Sequence, residues 1–593
     1  MSADDQFVLL DIGGTWIKGA LTKRSDYLNF ISQIDRKGGA GLFNQVERCR
    51  INFSSGITPS DFLFSLRNFI QSLTKANTQI CGIGISTAGK VNYNGKSVDY
   101  ASSHISALSN NDWRAVLEEE YCCQVVLIND AEAAAIGMAE LNILSGMQNT
   151  GIVIIGTGLG FCLWRNGRRW YPSGNVPLPG SIIIPGRTYN EIVSASQLSA
   201  ICDSDDLSLF FSSAQYEMDR DKYINDLVFV LISISGIYNL DEICLSGGIV
   251  EAAMKSGYDL SGRINSGIEK NTPQEFKKVK VRIVAEGNML QLIGAAALIN
   301  GETIAAKEYD LLSYRAIQSE SPFDKDLHLH RMSAENIIQT LWQAEQYAGE
   351  NLKGSLENIA YVVNRAAVAM KQGGRIIYVG AGTSGRIAAI DAVEIPCTYG
   401  LSKEKILTVI AGGVADAGLH IESDFEEDAS SIPEMLFLNI QKEDIVIGIS
   451  ASAGSYFVQS ALSFTKSRGA YTVLLHSQDN HNNFKCCHLS ISMFSGKEVV
   501  AGSTRMKEGT ATKKILNFIS TSVMILLGKV HESYMINFSA VNNKLIKRAS
   551  DILFKLYKLP QEEAMEVLKN NEFMLGKAIS SLEDSKSKMQ GGT

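Results

Sequence analysis

Three glycine turns and one carboxylate in the first half of this 593-residue sequence are of the residue types that phosphoryl transfer needs. Such a site cradles a triphosphate with backbone amides, admits Mg²⁺, and holds the accepting hydroxyl near a carboxylate able to take its proton. Asp11 opens the turn Gly13-Gly14-Thr15, where it can face Mg²⁺-bound phosphate, and Gly156-Thr157-Gly158 supplies a second turn. Gly247 and Gly248, in CLSGGIVEA, start a helix where backbone must pass close to a nucleotide. Asp130, following the apolar run 125–128, is the candidate base. A lone GG or GTG is more often only a tight turn; order and symmetry carry the reading.

The second half carries a different set. GAGTSG at 380–385 follows an apolar strand and fits the G-x-G-x-x-G spacing of dinucleotide sites. That fingerprint wants an acidic residue ending the next strand, but ILTVIAGGV ends without one. Gly382, Thr383 and Ser384 suit a monophosphate better. A second loop offers Ser450, Ser452 and Ser455, and a third cluster, Ser503-Thr504-Arg505, lies between Glu498 and Lys507. Hydroxyls with an Arg and a Lys are what a sugar phosphate requires. Glu394 stands in the otherwise apolar DAVEIPCTYG, and burial there would raise its pKa and let it act as an acid. The run Glu426-Glu427-Asp428 is by composition a solvated face.

The elements that position these residues follow two internal echoes. VLLDIGGTWIKGAL at 8–21 and VIIGTGLGFCLW at 153–164 share one plan: strand, glycine turn, strand. Between them, Thr58-Pro59-Ser60-Asp61 announces a helix with an apolar stripe at Phe62, Leu66, Phe69, Ile70 and Leu73. Downstream, strand, hydroxyl-rich loop and helix occur twice about 70 residues apart, the pattern of a doubly wound parallel α/β sheet. GETIAAKEYDLLSYRAIQSE loses this rhythm. The expected division is therefore a first domain over 1–300, with lobes at about 1–118 and 119–300, a linker at 301–320, and a second domain over 321–593 with a helical C-terminal region.

Composition narrows the function classes. With 55 basic and 63 acidic residues and a net charge of -8, the chain lacks the basic stripe that binds nucleic acid. The N-terminal segment is acidic where a signal peptide is basic, and the apolar runs at 150–164 and 515–528 fall short of the roughly 20 residues that span a bilayer. The expectation is a cytoplasmic protein without membrane partners. The ten cysteines form no disulfide framework and read as reduced thiols. His328, His330 and the triplet Cys486-Cys487-His488 lack metal-ligand spacing, so no metal site is expected.

The motifs DIGGTWIK (11–18), GIGIS (82–86), NDAEAAAIG (129–137), GTGLG (156–160), LSGG (245–248) and LIGAA (292–296) resemble those of ROK sugar kinases. That resemblance implies a two-lobed, actin-like ATPase (RNase H-like) fold over about 1–300. It implies ATP and Mg²⁺ in the cleft with Lys18 among the nucleotide contacts, Asp130 as base toward a sugar 6-hydroxyl, and Asn129 and Glu191 as sugar contacts. Ser181 stands where the family carries a His, and the cysteines of the family's zinc site are absent, so structural zinc is not expected.

Residues 373–400, IAGG (410–413), DIVIGISAS (444–452), VVAGSTRMKEGTATKKILNFISTSVMILLGKV (499–530) and NNKL (542–545) resemble N-acetylmuramic acid 6-phosphate etherases. These are SIS-domain lyases related to glucokinase regulatory protein. The resemblance spans about 320–580 and implies cleavage of the lactyl ether to N-acetylglucosamine 6-phosphate and D-lactate. It implies no cofactor for this half, and a homodimer through the SIS domain. By position Glu394 matches the proton donor and Glu427 the second acid/base glutamate, with Glu426 an alternative. ASAGSYF replaces the family's usual second loop, and the C-terminal tail is short. Three readings stand: a bifunctional amino-sugar enzyme, a phosphosugar-sensing regulator, and an etherase with an inactive kinase lobe. Glu394 and Asp130 are both present, which favours catalysis.

Overall fold

The computed structural model describes residues 5–32, 43, 46–50, 57–74, 79–91, 97–100, 107, 109, 112–165, 168–169, 179–184, 187–274, 277–285, 287–308, 323–324, 327–346, 350–412, 430–477, 484–493, 496–538 and 542–590. The chain forms two compact units, Met1–Lys307 with Ala429–Asn439, and Glu308–Asp428 with Ile440–Thr593.

The first unit holds two sheets of one topology. Strands β1 (Gln6–Ile12), β2 (Trp16–Lys23), β3 (Glu47–Arg50), β4 (Ile80–Thr87) and β5 (Gln124–Asn129) are ordered β3-β2-β1-β4-β5. Strands β6 (Asn149–Ile155), β7 (Leu159–Arg165), β8 (Arg168–Arg169), β9 (Glu242–Ser246) and β10 (Lys280–Ile283) are ordered β8-β7-β6-β9-β10. In each, an antiparallel hairpin turns on glycines and its first strand then pairs in parallel with a later one. This duplicated plan is the actin-like ATPase fold.

Helix α1 (Pro59–Leu73) starts at a Thr58–Asp61 capping box and buries Phe62, Leu66, Phe69 and Ile70 of the stripe expected from sequence, while its fifth member, Leu73, is half-buried. Helix α2 (Asp130–Glu140) is alanine-rich because it packs backbone against backbone on α5 (Gly287–Glu308). A Cβ on Gly137 would sit 2.2 Å from the Leu290 carbonyl oxygen, and one on Gly294 would sit 2.0 Å from that of Ala133. Only glycine permits this approach. Helix α5 runs to Glu308, so the linker expected from Gly301 begins inside it. Its segment Met289–Ala306 is apolar and long enough to cross a membrane, yet 83% of it is buried in the fold, as a core helix is. Between α2 and α5 come α3 (Tyr189–Val193) and α4 (Gly248–Lys255). The short helix Ile432–Phe437, distant in sequence, also belongs to this unit, with the Phe437 ring 6.0 Å from that of Trp164.

The second unit is a SIS-type doubly wound domain. Strands β11 (Ile376–Gly380), β12 (Ile406–Ile410), β13 (Ile445–Ile449), β14 (Tyr471–His476) and β15 (Leu489–Ser492) are all parallel, ordered β12-β11-β13-β14-β15. Helices α6 (Gly382–Tyr399), α7 (Tyr456–Ser467) and α8 (Lys507–Leu526) follow the three hydroxyl-bearing loops. The sheet order reverses between β11 and β13, which places a ligand crevice at their carboxyl ends. Helices Asn543–Tyr557, Gln561–Asn570 and Leu575–Gln590 form the C-terminal region around their own apolar cluster.

Candidate active sites

In the first unit the two glycine turns face one another across a cleft of 930 Å³. The Thr15 and Thr157 hydroxyls are 3.3 Å apart. Asp11, Gly13, Gly14, Lys18, Gly156, Gly158, Gly247, Gly248, Asn129, Asp130, Ser181 and Glu191 all line this cleft with the two threonines, so residues up to 237 positions apart are brought together. Gly247 takes φ 111°, in the region that favours glycine, and passes the chain from β9 into α4.

Asp11 is buried at the end of β1; it accepts a hydrogen bond from the Ser86 hydroxyl at 3.0 Å and pairs with Lys18 at 3.5 Å. Asn129 caps α2: its Oδ1 accepts from the Ala131 and Glu132 amides, and its Nδ2 donates to the Gly89 carbonyl at 2.8 Å. The cap fixes Asp130 at the first position of α2, open to the cleft on one side and crowded by its walls on the others. Burial, and then the negative charge of Asp11, push the Asp130 carboxyl up to about 7. A carboxylate so placed can accept a proton near neutral pH. Glu191 is exposed and closes a capping box on Thr188, accepting from its amide at 2.7 Å and its hydroxyl at 3.0 Å. Its neighbour Asn190, which the sequence reading missed, accepts from the Leu159 amide at 2.7 Å and so ties α3 to the second turn. Ser86 was also missed; its place at the end of the buried strand GIGIS was the available signal.

In the second unit Gly380 and Ile449 are register partners, so the loops bearing Gly382-Thr383-Ser384 and Ser452–Ser455 leave the sheet side by side. The Ser452 hydroxyl accepts from the Gly454 amide at 3.0 Å. The amide of Ser477, just past β14, donates to Ala451 at 2.9 Å, and its hydroxyl bonds the carboxylate of Glu508 in the first turn of α8. Buried Glu498 caps α8 by accepting from the Lys507 and Glu508 amides at 3.3 and 3.0 Å. Ser503, Thr504 and exposed Arg505, just before α8, thereby join the other two loops at the carboxyl end of the sheet.

Two sequence expectations meet a correction or a limit here. Glu394 is exposed rather than buried, and eleven residues along α6 from Thr383 it stands about 16 Å along the helix from the loop that follows β11. The helical period explains this: α6 turns Ala388, Asp391, Ala392 and Ile395 inward, and Ile390, Val393, Glu394 and Cys397 outward. The buried acid of the apolar stretch is Asp391, which accepts from the Tyr378 hydroxyl and the Ser520 hydroxyl, each at 3.0 Å. Burial raises its pKa. Glu427, with Glu426, lies outside the described residues. Among the described residues no group of three His, Cys, Asp or Glu side chains is placed to hold a metal ion. All ten cysteines are free thiols.

Comparison with known proteins matches both units. The ROK family model matches residues 41–180, and that of the glucokinase regulatory protein N-terminal SIS domain matches residues 358–466. The N-acetylmuramic acid 6-phosphate etherase of Histophilus somni (strain 129Pt) is 34% identical over 250 residues, 42% of this chain and 82% of the relative. The chain belongs to the N-acetylmuramic acid 6-phosphate etherase family. The etherase of Clostridium beijerinckii is 35% identical over 268 residues, 45% of this chain and 88% of its own. Two solved structures resembling the chain are the inorganic polyphosphate/ATP-glucomannokinase of Arthrobacter sp. strain KM and a ROK family glucokinase of Streptomyces griseus in complex with glucose and AMPPNP. The first has a TM-score of 0.37 and 18% identity, covering 50% of this chain and 99% of its own. The second has a TM-score of 0.38 and 15% identity, covering 49% and 98%. In this etherase-family enzyme a ROK-family domain precedes the SIS domain.

Proposed function

We propose that the chain runs two consecutive steps on one amino sugar: ATP-dependent phosphorylation of the 6-hydroxyl of N-acetylmuramic acid, then cleavage of the lactyl ether of the 6-phosphate. Asp130 carries the first step. It has the chemistry of a base, its pKa lies near neutrality, and it opens onto the same cleft as both glycine turns. The nucleotide supplies the phosphoryl group and Mg²⁺ offsets its charge; buried Asp11, fixed by Ser86, is the carboxylate that fits the metal. Asn129 and Glu191 border the space left for the sugar.

The second step rests on the etherase family and on the three converging hydroxyl loops. Thr383, Ser384, Ser452, Ser455, Ser503, Thr504 and Arg505 hold the phosphosugar. Glu427 removes the C2 proton of the ring-opened aldehyde, the C3–oxygen bond breaks, and Glu394 protonates the departing lactate oxygen. Water then adds to give N-acetylglucosamine 6-phosphate. This half needs no cofactor. Because Glu394 lies far along α6 from its own phosphate loop, with Ile390 and Val393 exposed beside it, we assign it to the site of a second copy in a homodimer. The enzyme then works in the cytoplasm on small-molecule amino sugars and sugar phosphates, as a homodimer through the SIS domain and without nucleic acid or membrane partners. Incubation with N-acetylmuramic acid, ATP and Mg²⁺ tests it: D-lactate should appear only when all three are present, and release without ATP would refute the order of steps.

A further inference from the structure

The cleft face of the first sheet carries a row of three charges, of which the scheme above uses only Asp11. Lys18 is the register partner of Asp11 on one side and of Arg48 on the other, so the three side chains lie in line across β1, β2 and β3 on one face. Asp11 pairs with Lys18. Among the described residues no carboxylate lies within ion-pair distance of Arg48, which is exposed and lines the cleft. Like charges directly opposite on a sheet are destabilising, and an anion between them removes that cost.

The sheet order decides which anion. Arg48 is on the edge strand β3, whereas Asp130 follows β5 at the other edge, four strand spacings or roughly 19 Å away. A sugar whose 6-hydroxyl touches Asp130 cannot reach Arg48. A phosphate chain passing outward from Asp11 can, because the distance is two spacings, roughly 10 Å. The edge is also held against the nucleotide side of the cleft. Arg50, which lies over the Trp16 ring at 5.9 Å, pairs at 2.9 Å with Asp205. Asp206 beside it is 3.8 Å from Lys255 on α4, the helix begun by Gly247 and Gly248.

We propose that Arg48 is a specificity-determining contact for the phosphate chain of the nucleotide, acting alongside Lys18; this rests on the kinase reading of the same cleft. Binding of MgATP, adenosine, inorganic tripolyphosphate and N-acetylmuramic acid to the full chain tests it by calorimetry, with wild type, R48A and R48K compared. R48A should weaken MgATP and tripolyphosphate roughly ten- to hundredfold, as loss of a charge-assisted bond does. It should leave adenosine and the sugar unchanged, and R48K should recover part of the loss. Arg48 is exposed, so the variants should unfold at the wild-type temperature. Unchanged MgATP affinity in R48A would overturn the proposal, as would weakened sugar affinity with nucleotide binding intact, which would give Arg48 to the lactyl carboxylate. Failure of the wild type to bind MgATP would overturn the kinase reading, and the proposal with it.

Discussion

Asp11 and Asp130 line one cleft, and the charge of the first adds to burial in keeping the second protonated up to about pH 7. A base works only when ionised. The sugar-dependent kcat/KM for ADP formation should therefore rise with pH through an apparent pKa near 7 and level off above it. A profile flat from pH 5 to 9 would remove Asp130 from the role of base.

The same carboxyl has an opposite effect on stability. Unfolded, it ionises near 3.8, and folded near 7, so the unfolded state holds fewer protons between these values. Stability from the neutral form is complete below about pH 3.8 and is lost as pH rises toward 7. Asp130→Asn should flatten that part of the thermal-unfolding profile of the first unit while abolishing ADP formation. Identical profiles for wild type and variant would show that the carboxyl is not perturbed.

Asp391 should matter to the fold of the second unit more than its sequence position announces. Asp391→Ala strands the buried Tyr378 and Ser520 hydroxyls, each costing about 1–3 kcal/mol. Denaturant unfolding followed within residues 350–590 should shift accordingly, and a loss under about 0.5 kcal/mol would mean that the hydroxyls find other partners.

Glu394→Gln keeps shape but has no proton to give. D-lactate release from the 6-phosphosugar should fall roughly 10²- to 10⁴-fold, with phosphosugar binding retained. C2 proton exchange should persist in this variant and vanish in Glu427→Gln. If Glu394 serves a second copy, mixing Glu394→Gln chains with chains lacking Arg505 should restore part of the activity, and no recovery on mixing would return the acid to its own chain.

The hairpins and the strand–loop–helix units were legible in the sequence because their signals are local: apolar runs, glycine turns, a capping box at Thr58 and Asp61. Strand order and registers are not local, and they bring Asp11, Thr157 and Asp130 into one cleft. Choosing between Asp391 and Glu394 needed the rotational setting of α6, which an almost uniformly apolar stretch does not reveal. Nor could periodicity show that the helix Ile432–Phe437 packs on Trp164, since that contact joins residues 273 positions apart. The pair Arg50–Asp205 is hidden for the same reason.

Supplying Asp130→Asn chains with either free N-acetylmuramic acid plus MgATP or the preformed 6-phosphate, and measuring D-lactate from each, tests the two-site account most directly. The account predicts no lactate from the free sugar and wild-type release from the 6-phosphate. Loss of both activities in a protein that remains folded, or wild-type release from the free sugar, would contradict it.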